Sequence, residues 1–442
     1  MRALLAILFC VLLGACAHLP ADNVPAGVGK QSVKKIQQRR QATKPIRARE
    51  TATTPSPSRW EHGRRRYWGY QRRAHHWEYR RYQPMSRVEQ PARMPAGGST
   101  AAAARDPLSP ITATLQPVYY ATNREITDGE KPLAERITYD RSMALKYGLA
   151  IVSVPRSHLI GNIERPRFNY FRWAYEPERD DKHFVMKPLV PMTREALIEG
   201  LKRKNDSILL FIHGYNTPFR DAIFKAAQIA YDANFPGSVL AFSWPSAGEL
   251  LGYDYDTVSA GFSTSDLLDL MQLVTRDAGG KRVYVVAHSM GNQIVTNALV
   301  RAKLSNIELG ISELVMAAPD VDKDTFFKVA NDIKSVVPNV TMYASSVDKA
   351  LLASEKKSWA SRMGYIGASG PHLVDWIETI DVTAVGEDML GLNHSKYSEN
   401  RAVLEDLARI IMSKTHAKAF ERNTTLRAMP DKDNVRYWRY AK

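Results

Sequence analysis

The sequence predicts an α/β fold: a mostly parallel central sheet with helices on both faces, preceded by a disordered arm. Three observations carry this. Apolar runs of strand length stand at 207–212 (SILLFI), 238–243 (SVLAFS), 282–287 (RVYVVA), 312–317 and 338–343. They lack polar alternation, as strands covered on both faces do. Segments with helical spacing lie between or beside them, at 192–203, 219–233, 262–275 and 290–304, with a last one at 398–412. That alternation is the pattern of a layered sheet. Finally, composition changes near residue 116, and the periodicity is confined to the residues beyond it.

Taken in order, the chain starts with an address. Met1-Arg2 is a short positive start, and 3–13 (ALLAILFCVLL) is an apolar run too short to span a bilayer comfortably. Leu13-Gly14-Ala15-Cys16 then has the pattern of a bacterial lipobox. Residues 1–15 are expected to be a lipoprotein signal peptide, with Cys16 as the lipid-attached first residue. In a Gram-negative cell, Ala17 after that cysteine favours the outer membrane, facing the periplasm. The competing reading is an ordinary secretory signal cut in the A-x-A pattern Ala15-Cys16-Ala17. The chain has 2 cysteines, Cys10 and Cys16. No disulfide framework or cysteine-based metal site is therefore expected in the body.

Residues 16–115 read as a basic, disordered linker rich in Pro, Arg and aromatics. The net charge of +15 first suggests a nucleic-acid or anionic-membrane binder. Its distribution narrows that: 17–115 hold 19 Lys/Arg against 6 Asp/Glu, while 116–442 hold 41 against 40. Ordering so polar a segment costs about 1–2 kcal/mol per residue with little apolar burial to offset it. Within it, 59–82 interleave arginine with Trp60, Tyr67, Trp68, Tyr70, Trp77, Tyr79 and Tyr82. Such a composition suits nucleic-acid stacking. An exported chain, however, meets acidic lipid headgroups and cell-wall polymers first, and aromatic rings sit well at a membrane interface. The expected partner of the arm is an anionic envelope surface or polymer, not nucleic acid. The competing reading is a solvated spacer.

The body, 116–412, opens with strand-like 118–121 and 148–154, and 183–190 (HFVMKPLV) and 373–380 read as further strands. The tail 413–442 is polar and carries no assignment. Chemistry gathers where strands end. Ala287-His288-Ser289-Met290-Gly291 follows the 282–287 strand and opens a helical pattern, the context of a nucleophile elbow with serine at its tip. Small residues at Ala287 and Gly291 let the helix approach neighbouring strands. The Met290 N–H at the helix start can support a developing oxyanion. Phe211-Ile212-His213-Gly214-Tyr215-Asn216 ends another strand. N–H groups of Gly214 and Tyr215 are the expected second half of an oxyanion hole, each such donor being worth about 3–4 kcal/mol. His213 is read as positioning this turn, not as the base.

Behind such an elbow the acid and then the histidine follow in chain order. His394, in Gly391-Leu392-Asn393-His394-Ser395 before the last helix, is preferred over His372 as base. Asp348, after the 338–343 strand, is the preferred acid, needed to fix the imidazole tautomer. Asp320, in Ala318-Pro319-Asp320-Val321-Asp322, is the alternative acid. The segment 245–262 is expected to rim the pocket, where Tyr253 and Tyr255 either contact substrate or pack the loop.

These residues together resemble the bacterial α/β-hydrolases called domain of unknown function 900, often described as esterase- or lipase-like. The matching stretches are Tyr120-Ala121-Thr122-Asn123-Arg124, the turn at 213–216, Ser243-Trp244-Pro245-Ser246, the elbow at 287–291, Ala317 to Asp322, Tyr343 to Asp348, and Asn393-His394-Ser395. They run in order over about 116–412. The resemblance implies an α/β-hydrolase fold, a Ser289–Asp348–His394 triad and a hydrolase without metal or other cofactor. It is silent on the arm.

The expected reaction is acyl transfer to water, on a small-molecule or lipid-like acyl substrate. No long apolar lid insertion is visible, which favours an esterase over a triglyceride lipase. Peptidase, thioesterase and transacylase chemistry use the same triad. The alternative from another class is a non-catalytic tethering protein of the cell envelope on a hydrolase scaffold. The full set of Ser, Asp and His counts against it.

Overall fold

The computed structural model describes residues 113–440 apart from 170–172, 203–206, 250, 281, 349–350, 353, 356–359, 386–396, 413–417, 423–424 and 431–435. The signal-like segment, Cys16, most of the basic arm and His394 lie outside the described residues.

A long antiparallel hairpin opens the fold, β1 (Ala113–Ile126) on β2 (Ile137–Pro155). A two-residue pair, β3 (Phe168–Asn169) and β4 (Ala174–Tyr175), stands apart from the main sheet. Two short strands, β5 (Val185–Met186) and β6 (Val190–Met192), pair with β2. The single strand expected over 183–190 is thus broken, because Pro188 lacks the N–H that a continuous ladder needs.

The core strands are β7 (Ser207–Ile212), β8 (Ser238–Ser243), β9 (Arg282–His288), β10 (Ile311–Ala317), β11 (Val340–Ala344) and β12 (Glu378–Asp381). Two more, β13 (Leu426–Pro430) and β14 (Arg436–Tyr440), extend the sheet beyond β12. Among the described residues the sheet has 12 strands, in the order β13-β14-β12-β11-β10-β9-β7-β8-β1-β2-β5, with β6 beside β2. Every neighbour from β1 through β8, β7, β9, β10, β11 and β12 to β14 is parallel. Among the described residues the antiparallel pairs of this sheet stand at its two ends, as the α/β reading of the sequence requires.

Helices cover both faces: α1 (Arg194–Lys202), α2 (Phe219–Asp232), α3 (Tyr253–Phe262), α4 (Thr264–Gln272), α5 (Gly291–Leu304), α6 (Lys323–Val336) and α7 (Tyr397–Met412). The fully buried β7 shows why its sequence has no polar alternation. Leu209 and Phe211 join the core under α2 and α7, while Ile208, Leu210 and Ile212 join the core under α4, α5 and α6. Helix α6 carries Phe326, Ala330 and Ile333 on its buried side, and Asp322 caps its start by accepting from Thr325 N–H at 2.8 Å.

The strand order positions the site. From β7 the chain crosses to β8 on one side, then returns to β9 on the other and continues away. Connections therefore diverge between β7 and β9. Beyond their carboxyl ends lies the crevice where open α/β sheets bind ligands.

Candidate active site

Ser289 follows β9 at that point of divergence. Its φ is +48°, in the left-handed region that a serine occupies only when its surroundings hold it there. Its N–H donates to Ala317 O at 2.9 Å, and its own carbonyl accepts from Asp320 N–H at 3.2 Å. Asn292, buried in the first turn of α5, donates Nδ2 to Ala287 O and Ser289 O at 3.1 Å each. Helix α5 can start here because Gly291 has no side chain. A Cβ there would lie 2.5 Å from His213 O and 2.9 Å from Ile212 O.

Gly214 closes the other side. A Cβ on it would come within 2.8 Å of His288 Nδ1 and 2.9 Å of Ser289 Cβ. The turn after β7 thus touches the elbow, and glycine is what fits. Ser289 spends its N–H on Ala317 O, so the next amide, that of Met290, is the one open to an oxyanion. Among the described residues it meets no backbone oxygen. Tyr215 follows Gly214, and its ring packs on Tyr253 with 5.5 Å between centroids.

His213 lies buried under the turn. Its Nδ1 donates to Gly214 O at 2.8 Å, and its ring stacks on Trp244 at 5.0 Å. Trp244 Nε1 donates to His213 O at 2.8 Å. Burial first, then the Arg124 charge, holds the imidazole well below its usual pKa. His288 is pushed down to about 3, by burial first and Lys225 second. Neither is matched to general-base work near neutral pH.

The two candidate acids differ in what they touch. Asp320 is buried and heavily engaged: Oδ2 accepts from Tyr253 OH at 3.0 Å, and Oδ1 from Ser354 Oγ at 2.6 Å. Arg362 Nε lies 3.1 Å from the same Oδ1. Asp348 stands in the loop after β11, with Oδ1 accepting from Leu351 N–H at 3.0 Å. His372 is in the segment before β12. Burial and Lys323 lower its pKa, while Glu355 and Asp324 oppose this; those neighbours belong to α6 and the segment before 360, not to the elbow.

Tyr253 begins α3 and bridges the two sides of the site, its ring on Tyr215 and its hydroxyl on Asp320. Tyr255 is used differently. Its hydroxyl donates to Tyr139 O at 2.8 Å and its ring lies under Arg141 at 4.8 Å, so it fastens α3 to β2.

Residues 192–414 match the profile of an α/β-hydrolase family of unknown function, DUF900. The chain belongs to this family. An uncharacterized protein of Nostoc sp. (strain PCC 7120) is 24% identical over 266 residues, covering 45% of this chain and 67% of that one. Two solved structures are similar at greater distance. One, described as a cell surface hydrolase of Lactobacillus plantarum WCFS1, is 13% identical, covering 49% of this chain and 95% of that one, with a TM-score of 0.28. The other, described as a hydrolase of Agrobacterium vitis S4, is 8% identical, covering 68% and 99%, with a TM-score of 0.30. At these scores neither likeness bears on the site.

Two stretches that mark the DUF900 resemblance acquire roles that the sequence did not disclose. Arg124, at the end of β1, is fully buried and binds three strand-end segments together. Nε donates to Ser243 Oγ at 3.0 Å, one terminal nitrogen to Ser246 O at 3.0 Å, and the other to Thr217 O at 2.8 Å. Burial lowers its pKa to about 9, against the opposing charge of Asp256. Asp256 of α3 accepts from Asn216 N–H at 3.0 Å, Ala247 N–H at 2.6 Å and Ser246 Oγ at 2.6 Å. Arg124 and Asp256 thus clamp the turn that presents Gly214. The signal was a long cation close to the end of a buried strand, which needs buried acceptors nearby.

Proposed function

We propose that the protein is an esterase-type serine hydrolase working through Ser289, His394 and Asp348. The observation that carries this is Ser289 held left-handed against Gly214, with the Met290 amide at the start of α5. Strain at one serine in a parallel sheet is maintained where its hydroxyl must stand clear of the backbone.

His394 takes the Ser289 proton as Oγ attacks the carbonyl carbon. The oxyanion rests on the Met290 N–H and an amide of the Gly214–Tyr215 turn. The C–O bond to the alcohol breaks, and the alcohol leaves with the proton from His394. Water, deprotonated by His394, then releases the acid and restores Ser289. Asp348 steadies the imidazolium. Asp320 is the weaker candidate for that role, because both its oxygens already serve Tyr253, Ser354 and Arg362.

The enzyme is held at the cell envelope, by a lipid on Cys16 and by the basic arm on an anionic surface. The charge segregation in the sequence supports this part of the proposal. The test of function is hydrolysis of p-nitrophenyl acetate by wild type and Ser289→Ala. Loss of at least 10³-fold in kcat/KM is expected; equal rates would remove the serine mechanism.

A further inference from the structure

The family match ends at residue 414, yet the chain beyond it is built into the sheet. Leu426 and Tyr440 join the core under α2 and α7. Strand β14 lies parallel beside β12, with Ile380 opposite Trp438 and Asp381 opposite Arg439. That register sets Arg439 at the carboxyl edge of the sheet, the edge on which Ser289 also stands.

There Arg439 grips the end of β12. Its Nε donates to Asp381 Oδ2 at 2.6 Å, and a terminal nitrogen donates to Tyr437 OH at 2.9 Å. Asp381 is 2% exposed, and a carboxylate so buried requires a partner. Its other oxygen, Oδ1, accepts from Thr383 N–H at 2.9 Å. Thr383 Oγ1 in turn accepts from Ser346 N–H at 3.0 Å, two residues before Asp348. A chain of polar bonds thus runs from the tail to the loop that carries the acid of the proposed mechanism. The tail also holds both ends of the stretch that carries the base. Asp381 and Thr383 stand where the chain leaves β12 toward His394, and α7 receives it afterwards. Tyr440 OH donates to Ala402 O of α7 at 2.9 Å.

We propose that Arg439 is a positioning residue for the catalytic acid and base, acting through Asp381, Thr383 and Ser346. The inference rests on the hydrolase reading above and goes beyond it, since it places control of the triad geometry in a tail outside the family match. Two features separate this arrangement from a staple on an added strand. Asp381 gives one oxygen to Arg439 and the other to the loop, so loss of the guanidinium frees the carboxylate to turn away from Thr383. The Thr383 hydroxyl is the joint between the two loops, because Ser346 meets it with both N–H and Oγ, at 3.0 and 3.2 Å. A displacement of about 1 Å at a reacting group costs on the order of 10²-fold in rate.

The test measures kcat and KM for p-nitrophenyl acetate and the rate of fluorophosphonate labelling. Wild type, Arg439→Lys, Arg439→Met and the double variant Arg439→Met/Asp381→Asn are compared, with rates expressed per folded molecule from urea unfolding. Arg439→Met strands a buried carboxylate and loses stability; the double variant removes that charge and keeps the protein folded. In both, kcat should fall about tenfold or more with KM within about twofold of wild type, and labelling should slow in step. Arg439→Lys still reaches Asp381 and should stay within about threefold of wild type. A double variant with wild-type kcat would assign the loss to the stranded charge and overturn the positioning role, while leaving the hydrolase standing. So would a rise in KM at unchanged kcat. A wild type that neither labels nor cleaves the ester overturns the hydrolase reading and this inference together.

Discussion

Ser289 and Gly214 touch each other, and that contact makes sharp predictions at the residue scale. Gly214→Ala puts a methyl 2.9 Å from Ser289 Cβ, so the turn and its amides must withdraw. Activity on p-nitrophenyl acetate should fall about 10²–10³-fold, with the far-UV circular dichroism unchanged. Gly291→Ala instead meets backbone, at His213 O, and should cost about 1–3 kcal/mol of stability in urea unfolding. The two carboxylates should separate in the same way. Asp348→Asn should lower kcat by about 10⁴-fold with stability little changed. Asp320→Asn leaves Arg362 buried beside a neutral amide and should cost about 3–5 kcal/mol, with kcat per folded molecule largely kept. Reversal of that pattern would make Asp320 the acid. The tight turn at Ser289 was legible because Ala287 and Gly291 stand two positions to either side of it at the end of an apolar strand. The sequence was not informative about Asp320, since a post-strand aspartate looks the same whether it serves a histidine or an arginine.

At the scale of elements, buried ionic groups fasten loops to helices. His158, after β2, is buried between Glu164 Oε2 at 2.9 Å and Asp232 Oδ1 at 2.7 Å, the latter on α2. Burial alone would lower its pKa, but the hydrogen bonds to Asp232 and Glu164 outweigh this and raise it to about 9. A raised folded pKa gives stability that is fully present below the unfolded value near 6.5. It is lost as pH rises through about 9. Urea unfolding should therefore show wild type losing on the order of 2–3 kcal/mol between those limits. His158→Gln should show no such loss across the same interval. The buried strands were legible because apolar runs admit few other readings. Helix α3 was read as a rim loop because its buried residues are Asp256, Ser259 and Ala260, which leave no apolar stripe. The strands β13 and β14 were hidden by their arginines, one of which, Arg439, pairs with Asp381 of β12 at 2.6 Å.

Across the whole molecule, charge and chemistry are segregated. Residues 116–442 carry nearly balanced charge, and 17–115 carry the excess. Full-length protein should sediment with phosphatidylglycerol vesicles at low salt and be released at high salt. A chain starting at residue 113 should stay in solution at both. Equal sedimentation of the two would assign binding to the body instead. The body should carry one reactive serine, which a covalent probe reads directly. Full-length protein is treated with a fluorophosphonate, digested and mapped by mass spectrometry. One adduct is expected, on Ser289, which disappears in Ser289→Ala and forms far more slowly in Asp348→Asn. No adduct on wild type, or an adduct that persists in Ser289→Ala, would contradict the serine mechanism.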